Sequence, residues 1–204
     1  MRLSDKAMRR LIWILLVLAL LVLANAFYIP AKAMLAQHLL HESWEATLQA
    51  GGEINKPWPW ADTWPVARLQ VPALGVDQIV LEGDTGNTLA FAPGRNTATS
   101  LHAELGFILI NAHRDTHFRF LREIALGETL HLQQADGFVQ TYRVQDTQVV
   151  DAGMAWLRAP AQGHWLVLVT CYPFDAIQTG GSLRYVVMAE ALEPQTVIAS
   201  ALDQ

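Results

Sequence analysis

Hydrophobic positions along this chain fall into three regimes. Residues 11–29 (LIWILLVLALLVLANAFYI) form one apolar run without a charge. At about 1.5 Å per residue the run is just long enough to cross a bilayer core of roughly 30 Å. Residues 31–50 carry Met34, Leu35, His38, Leu39, Trp44 and Leu48 at near-helical spacing among good helix formers, which predicts a juxtamembrane helix. That helix should end at Gly51-Gly52, because the stretch NKPWPWADTWP after it is too dense in Pro and Trp to be regular. It reads as a linker pinned to a domain surface by Trp58, Trp60 and Trp64, with a substrate platform as the alternative role for those rings.

From Val66 onward the pattern changes to short apolar runs: VARLQVP, QIVLEG, GFILINAH, ETLHLQQ, VQTYRVQDTQVV, HWLVLVTCY and LRYVVMAEAL. These read as strands. Turn formers separate them, such as Asp84-Thr85-Gly86-Asn87, Pro93-Gly94, Ala135-Asp136-Gly137 and Gly180-Gly181, and only 117–126 looks like a short helix. About seven or eight strands in such a length predict a mainly β chain, closed or nearly closed into a barrel. The expected organisation is 1–29, a basic tail and transmembrane anchor; 30–63, a juxtamembrane helix and linker; and 64–204, one β-barrel domain.

Charge gives this layout a direction. Arg2, Lys6, Arg9 and Arg10 precede the apolar run against only Asp5, whereas Lys32, Glu42 and Glu45 follow it. The positive-inside rule then keeps the N-terminus cytoplasmic and exports the rest. Ala24-Asn25-Ala26 is also an A-x-A pattern of the kind cleaved in signal peptides, although the apolar run continues through Phe27, Tyr28 and Ile29. Both readings export the C-terminal part. The net charge is −5 and the basic tail is local, so the remainder is acidic and has no electrostatic footprint for nucleic acid.

Cys171 is the only cysteine, so no intrachain disulfide can form. It closes the apolar strand HWLVLVT and is followed by Tyr172-Pro173, where the chain must leave the ladder. A thiol at a strand exit lies at a rim, which favours a reactive cysteine over a buried structural one. A thiol needs an adjacent base to become a good nucleophile, and His113 is the best placed of seven histidines, since it also ends an apolar strand. His38 and His41 fall on the juxtamembrane helix, His131 within a strand, and His102 and His164 in loops. Arg184, just after the Gly-Gly turn, is the candidate for stabilising an oxyanion; alone, an arginine on a strand is usually a solvated face residue. His113 and His117 stand at i and i+4 like a zinc-protease pair, but Arg114 replaces the required Glu and the preceding run is strand-like.

NAHRDTHFRFL resembles the sortase histidine motif, LVLVTCYPF the strand that ends in Thr-Cys, and GGSLRYVVMAE the sortase arginine strand, in sortase order. The resemblance covers roughly residues 64–192 and is nearest the short sortases of Gram-negative proteobacteria (class GN) by Thr-Cys-Tyr-Pro-Phe. One departure is Asn111-Ala112 before the histidine, where many relatives have a small residue and Gly.

The resemblance implies an eight-stranded β-barrel in which His113, Cys171 and Arg184 converge on one groove. It implies a cysteine transpeptidase: Cys171 attacks a C-terminal LPxTG-like sorting signal of an exported protein, forming a thioester that passes to an amine acceptor. Thr170 would assist beside the nucleophile, and Asp115 reads as a turn residue. No metal or organic cofactor is implied. The expected location is the bacterial inner membrane, single-pass, with the catalytic domain periplasmic. Rival readings are a papain-like or other exported cysteine hydrolase, which usually places cysteine before histidine, and a non-catalytic membrane-tethered binding module with a buried Cys171.

Overall fold

The structure, a computed structural model, describes residues 5–99, 106–153, 163–176 and 180–192. Helix α1 spans Asp5–Gln49 and passes through Pro30 without ending there. Its 45 residues reach about 68 Å. The large apolar side chains from Leu11 to Ile29 are exposed, and this is a helix long and apolar enough to cross a membrane. The chain divides into two compact units, 1–39 and 40–204.

Within the second unit, eight strands close into a barrel among the described residues: β1 Pro65–Val71, β2 Val76–Glu82, β3 Gly94–Arg95, β4 Phe107–Asn111, β5 Thr129–Gln134, β6 Val139–Asp151, β7 Trp165–Cys171 and β8 Leu183–Ala191. Around the barrel the order is β1-β2-β3-β4-β7-β8-β6-β5. The pairs β2–β3 and β4–β7 are parallel and the other neighbours antiparallel. Closure gives every described strand a neighbour on each side, although β2 and β3 pair at only two positions.

Three expectations are corrected. The strand at Phe107 stops at Asn111, so His113 lies two residues into the following loop. The region 117–126 is not a helix of that length but a single 3-10 turn at Arg119–Arg122. Pro93-Gly94 was expected as a turn, yet Gly94 opens β3; the pairing partners on either side, Leu81 and Asn111, decide this and are remote in sequence. A one-turn helix α2, Gly86–Leu89, occupies part of the predicted 84–87 turn.

The barrel interior follows the period-2 alternation of its strands. Leu69, Ile108, Ile110, Leu130, Leu132, Leu166, Leu168 and Val187 are fully buried there. β7 is apolar on both faces: Trp165, Val167 and Val169 join Val186 and Met188 in a second cluster on the outer side. Leu40 and Trp44, near the end of α1, bury against Ile79 and Leu81 of β2. Trp58 meets Phe91 edge-on at 5.3 Å and Trp64 packs on the barrel core, so these two pin the linker, while Trp60 is 82% exposed.

Candidate active site

β4 and β7 are parallel neighbours in register, with Asn111 beside Val169. The pairing continues one step past β4, where the Ala112 N–H donates to the Val169 carbonyl at 3.2 Å. Thr170, 2% exposed, donates its hydroxyl to the Ala112 carbonyl at 2.7 Å. Two strands that run the same way and end at the same level therefore deliver His113 and Cys171 to one rim, each two residues beyond the last β4–β7 pair, Asn111 and Val169. Both line a groove of about 630 Å³ with Arg114, Asp115, Tyr172, Pro173, Ala176, Gly180 and Gly181. That is a normal size for a substrate cleft.

Cys171 is partly exposed and His113 exposed, so both are open to a substrate from the groove. On the other side of Cys171, β8 runs antiparallel and places Arg184 directly opposite it. Directly opposed residues share a face, with Cβ atoms roughly 4.5–5.5 Å apart. Arg184 does not line the groove itself. Its Nη1 donates to the carbonyls of Gly181 at 2.7 Å and Leu183 at 2.9 Å, which brings its guanidinium to the groove wall at Gly181.

The sortase domain profile matches residues 69–192, most of the barrel that carries this rim. This chain belongs to the sortase family. It is 28% identical over 120 residues to sortase D of Bacillus subtilis (strain 168), a match covering 58% of this chain and 60% of that protein. The solved structure of a Clostridium perfringens sortase D5 transpeptidase superimposes with TM-score 0.59 at 19% identity, covering 77% of this chain and 96% of the other. Sortase A from Corynebacterium diphtheriae gives TM-score 0.59 at 17% identity, covering 85% of this chain and 98% of the other. At those identities the two structures attest the fold.

The remaining histidines of this sortase sit elsewhere. His131 lies on β5 with Nδ1 at 3.1 Å from the Thr141 hydroxyl, His38 and His41 are on α1, and His164 precedes β7. His102 falls outside the described residues. His117 is a half-buried member of the 114–118 turn, and burial first and the neighbouring His113 second push its pKa below the usual histidine value. Residues 114–118 form a turn, not the helix on which a zinc-binding histidine pair would have to stand. Asp115 occupies that turn, with Oδ1 at 3.4 Å from Arg114 Nε.

Two features of the rim escaped the sequence reading. Arg114 is buried and binds the loop that follows Cys171. Tyr172, Phe174 and Tyr185 form an aromatic cluster, with Tyr172 stacked on Tyr185 at 6.1 Å and Phe174 edge-on to Tyr185 at 5.2 Å. Arg122 lies 5.6 Å over the Phe174 ring and pairs with Asp175. The only sequence signal for the first was an arginine sandwiched between the candidate histidine and an aspartate. The second is spread over two strand ends.

Proposed function

We propose that this sortase is a membrane-anchored cysteine transpeptidase using Cys171, His113 and Arg184. The observation that carries the reading is the shared exit of the parallel strands β4 and β7, with His113 and Cys171 lining one groove. The Cys171 thiolate adds to the Thr carbonyl of a C-terminal LPxTG-like signal, and the tetrahedral intermediate collapses to a thioester as the C–N bond to Gly breaks and the glycine amine leaves. His113 gives that amine its proton and then takes one from the incoming acceptor amine, which attacks the thioester and releases the Cys171 thiolate. Arg184 leaves its turn carbonyls to meet the oxyanion, a contribution of the kind that is worth about 100- to 1,000-fold in kcat.

The substrate is an exported protein bearing the signal, and the acceptor is an amine of the cell envelope. The apolar stretch of α1 acts as a single-pass anchor, with the basic N-terminus cytoplasmic and the barrel outside the inner membrane. Residues 30–63 connect that anchor to the catalytic barrel beginning at 64.

The test incubates the full chain in detergent with an LPxTG-like peptide and a trapping amine, then weighs protein and products by mass spectrometry. A thioester adduct on Cys171 and an amine-capped product, both absent in Cys171→Ala, are expected. Turnover retained by Cys171→Ala would sink the mechanism. A Cys171 that forms no adduct and resists alkylation in the folded chain would favour a binding module.

A further inference from the structure

His113 is carried by a loop, and none of the described hydrogen bonds holds its ring. Its position relative to Cys171 is therefore set through the backbone. The residue after it, Arg114, is 7% exposed although it is charged and lies in a turn at the barrel rim. Its guanidinium reaches across the groove to the loop that leaves Cys171: Nη1 donates to the Pro173 carbonyl at 2.7 Å and Nη2 to the Ala176 carbonyl at 2.6 Å. Its Nε also lies 3.4 Å from Oδ1 of Asp115, a carboxylate that is mostly exposed.

Burying a guanidinium at this rim is a poor source of stability by itself, because its charge must be taken out of water. What the arrangement supplies is geometry. Arginine's planar fork offers parallel donors at fixed spacing, which suits it to holding two acceptors at once where lysine has a single point charge. The bonded carbonyls lie two and five residues after Cys171, and the arginine lies one residue after His113. On the inner side the Thr170 hydroxyl bonds the residue just before His113. The two strand exits are thus tied on both sides of the reactive pair.

We propose that Arg114 is a positioning residue that fixes the His113 loop to the post-cysteine loop and so sets the spacing of the acid/base and the nucleophile. The proposal rests on the catalytic reading of that pair. It does not require Arg114 to touch substrate. A displacement near 1 Å at such a pair is enough to cost about 100-fold in rate.

The test is a double-mutant cycle on the full chain in detergent, read by the rate of Cys171 alkylation with iodoacetamide, which needs no peptide. Arg114→Met and Arg114→Lys should each slow alkylation while keeping the wild-type near-UV circular dichroism. Neither should slow it further in the His113→Ala background, because the residue acts through the histidine. Peptide turnover, where present, should fall by about 10- to 100-fold in kcat with KM nearly unchanged. Should Arg114→Met lose its tertiary spectrum, Arg114→Gln, which keeps a single donor nitrogen in place of the guanidinium fork, takes its place in the cycle.

Equal losses in both histidine backgrounds would overturn the proposal, and so would full rates in Arg114→Lys, which would assign the effect to charge. Alkylation as fast in His113→Ala as in wild type would also remove the role. A cycle that shows coupling in a chain that ignores the peptide would uphold Arg114 and refute only the substrate class.

Discussion

Replacing Gly94 by alanine should damage the barrel at its narrowest strand. β3 is two residues long, and Gly94 pairs with Leu81 on one side and Asn111 on the other. A Cβ at this position would lie 2.2 Å from the Gly83 carbonyl oxygen, 3.0 Å from Asp84 Cα and 3.1 Å from the Gly83 carbonyl carbon. The first contact is roughly 1.3 Å inside a comfortable separation of about 3.5 Å. All three atoms are backbone, so no side-chain rotation relieves the clash and either β3 or the 83–84 turn must move. Overpacking of this kind costs typically 1–3 kcal/mol, and a backbone obstacle puts Gly94→Ala in the upper half of that range, about 2–3 kcal/mol. For a chain of this size that lowers the melting temperature by roughly 4–12 °C. The displacement reaches the site, because Asp84 Oδ2 accepts from the side-chain amides of Asn96 and Asn111, each at 2.8 Å, and Asn111 is two residues before His113. The assay is thermal unfolding of the full chain in detergent by tryptophan fluorescence. Gly86→Ala serves as control, since nothing lies within 4 Å of a Cβ there, and it should stay within about 0.5 kcal/mol of wild type. A Gly94→Ala melting point indistinguishable from that control would refute the argument.

Thr170→Val removes the hydroxyl that donates to the Ala112 carbonyl and changes little in shape; it should cost about 1–3 kcal/mol in a denaturant titration and lower kcat, with Thr170→Ser retaining more activity than Thr170→Val. The lowered pKa of His117 means that the unfolded chain binds more protons than the folded one as pH falls through the ordinary histidine range. Its contribution to stability is therefore full above about pH 7.5 and lost as pH falls below roughly 6.5, so the denaturation midpoint of His117→Gln should vary less than wild type over roughly pH 5 to 7. The Asp77 carboxyl, held below its usual pKa first by the Arg68 hydrogen bond, adds a separate loss at lower pH as it protonates, and that limb should persist in His117→Gln.

The main β pattern was legible because closed barrels alternate inward and outward residues, and seven apolar runs announced seven of the eight strands. β3 was not legible. Two residues, one of them glycine, carry no periodicity, and they become a strand only because Leu81 and Asn111 flank them. The helix expected over 117–126 shrank to one 3-10 turn because Phe118 and Leu121 are drawn into the barrel core while the chain around them turns.

For the candidate site, the sequence by itself determined the residue types, their order and their positions at or near strand ends, since the apolar runs stop where a strand leaves the barrel. It also marked the stretch long and apolar enough to cross a membrane, because a run of that length without a charge is visible in the sequence alone. Only the tertiary structure decided that β4 and β7 are parallel neighbours in register, which is what puts His113 and Cys171 on one groove. It alone placed Arg184 opposite Cys171, with its guanidinium on turn carbonyls. And it alone buried Arg114, whose acceptors lie 59 and 62 residues away along the chain. Pairing across such separations depends on which strands close the barrel together, and local periodicity holds no information about that choice.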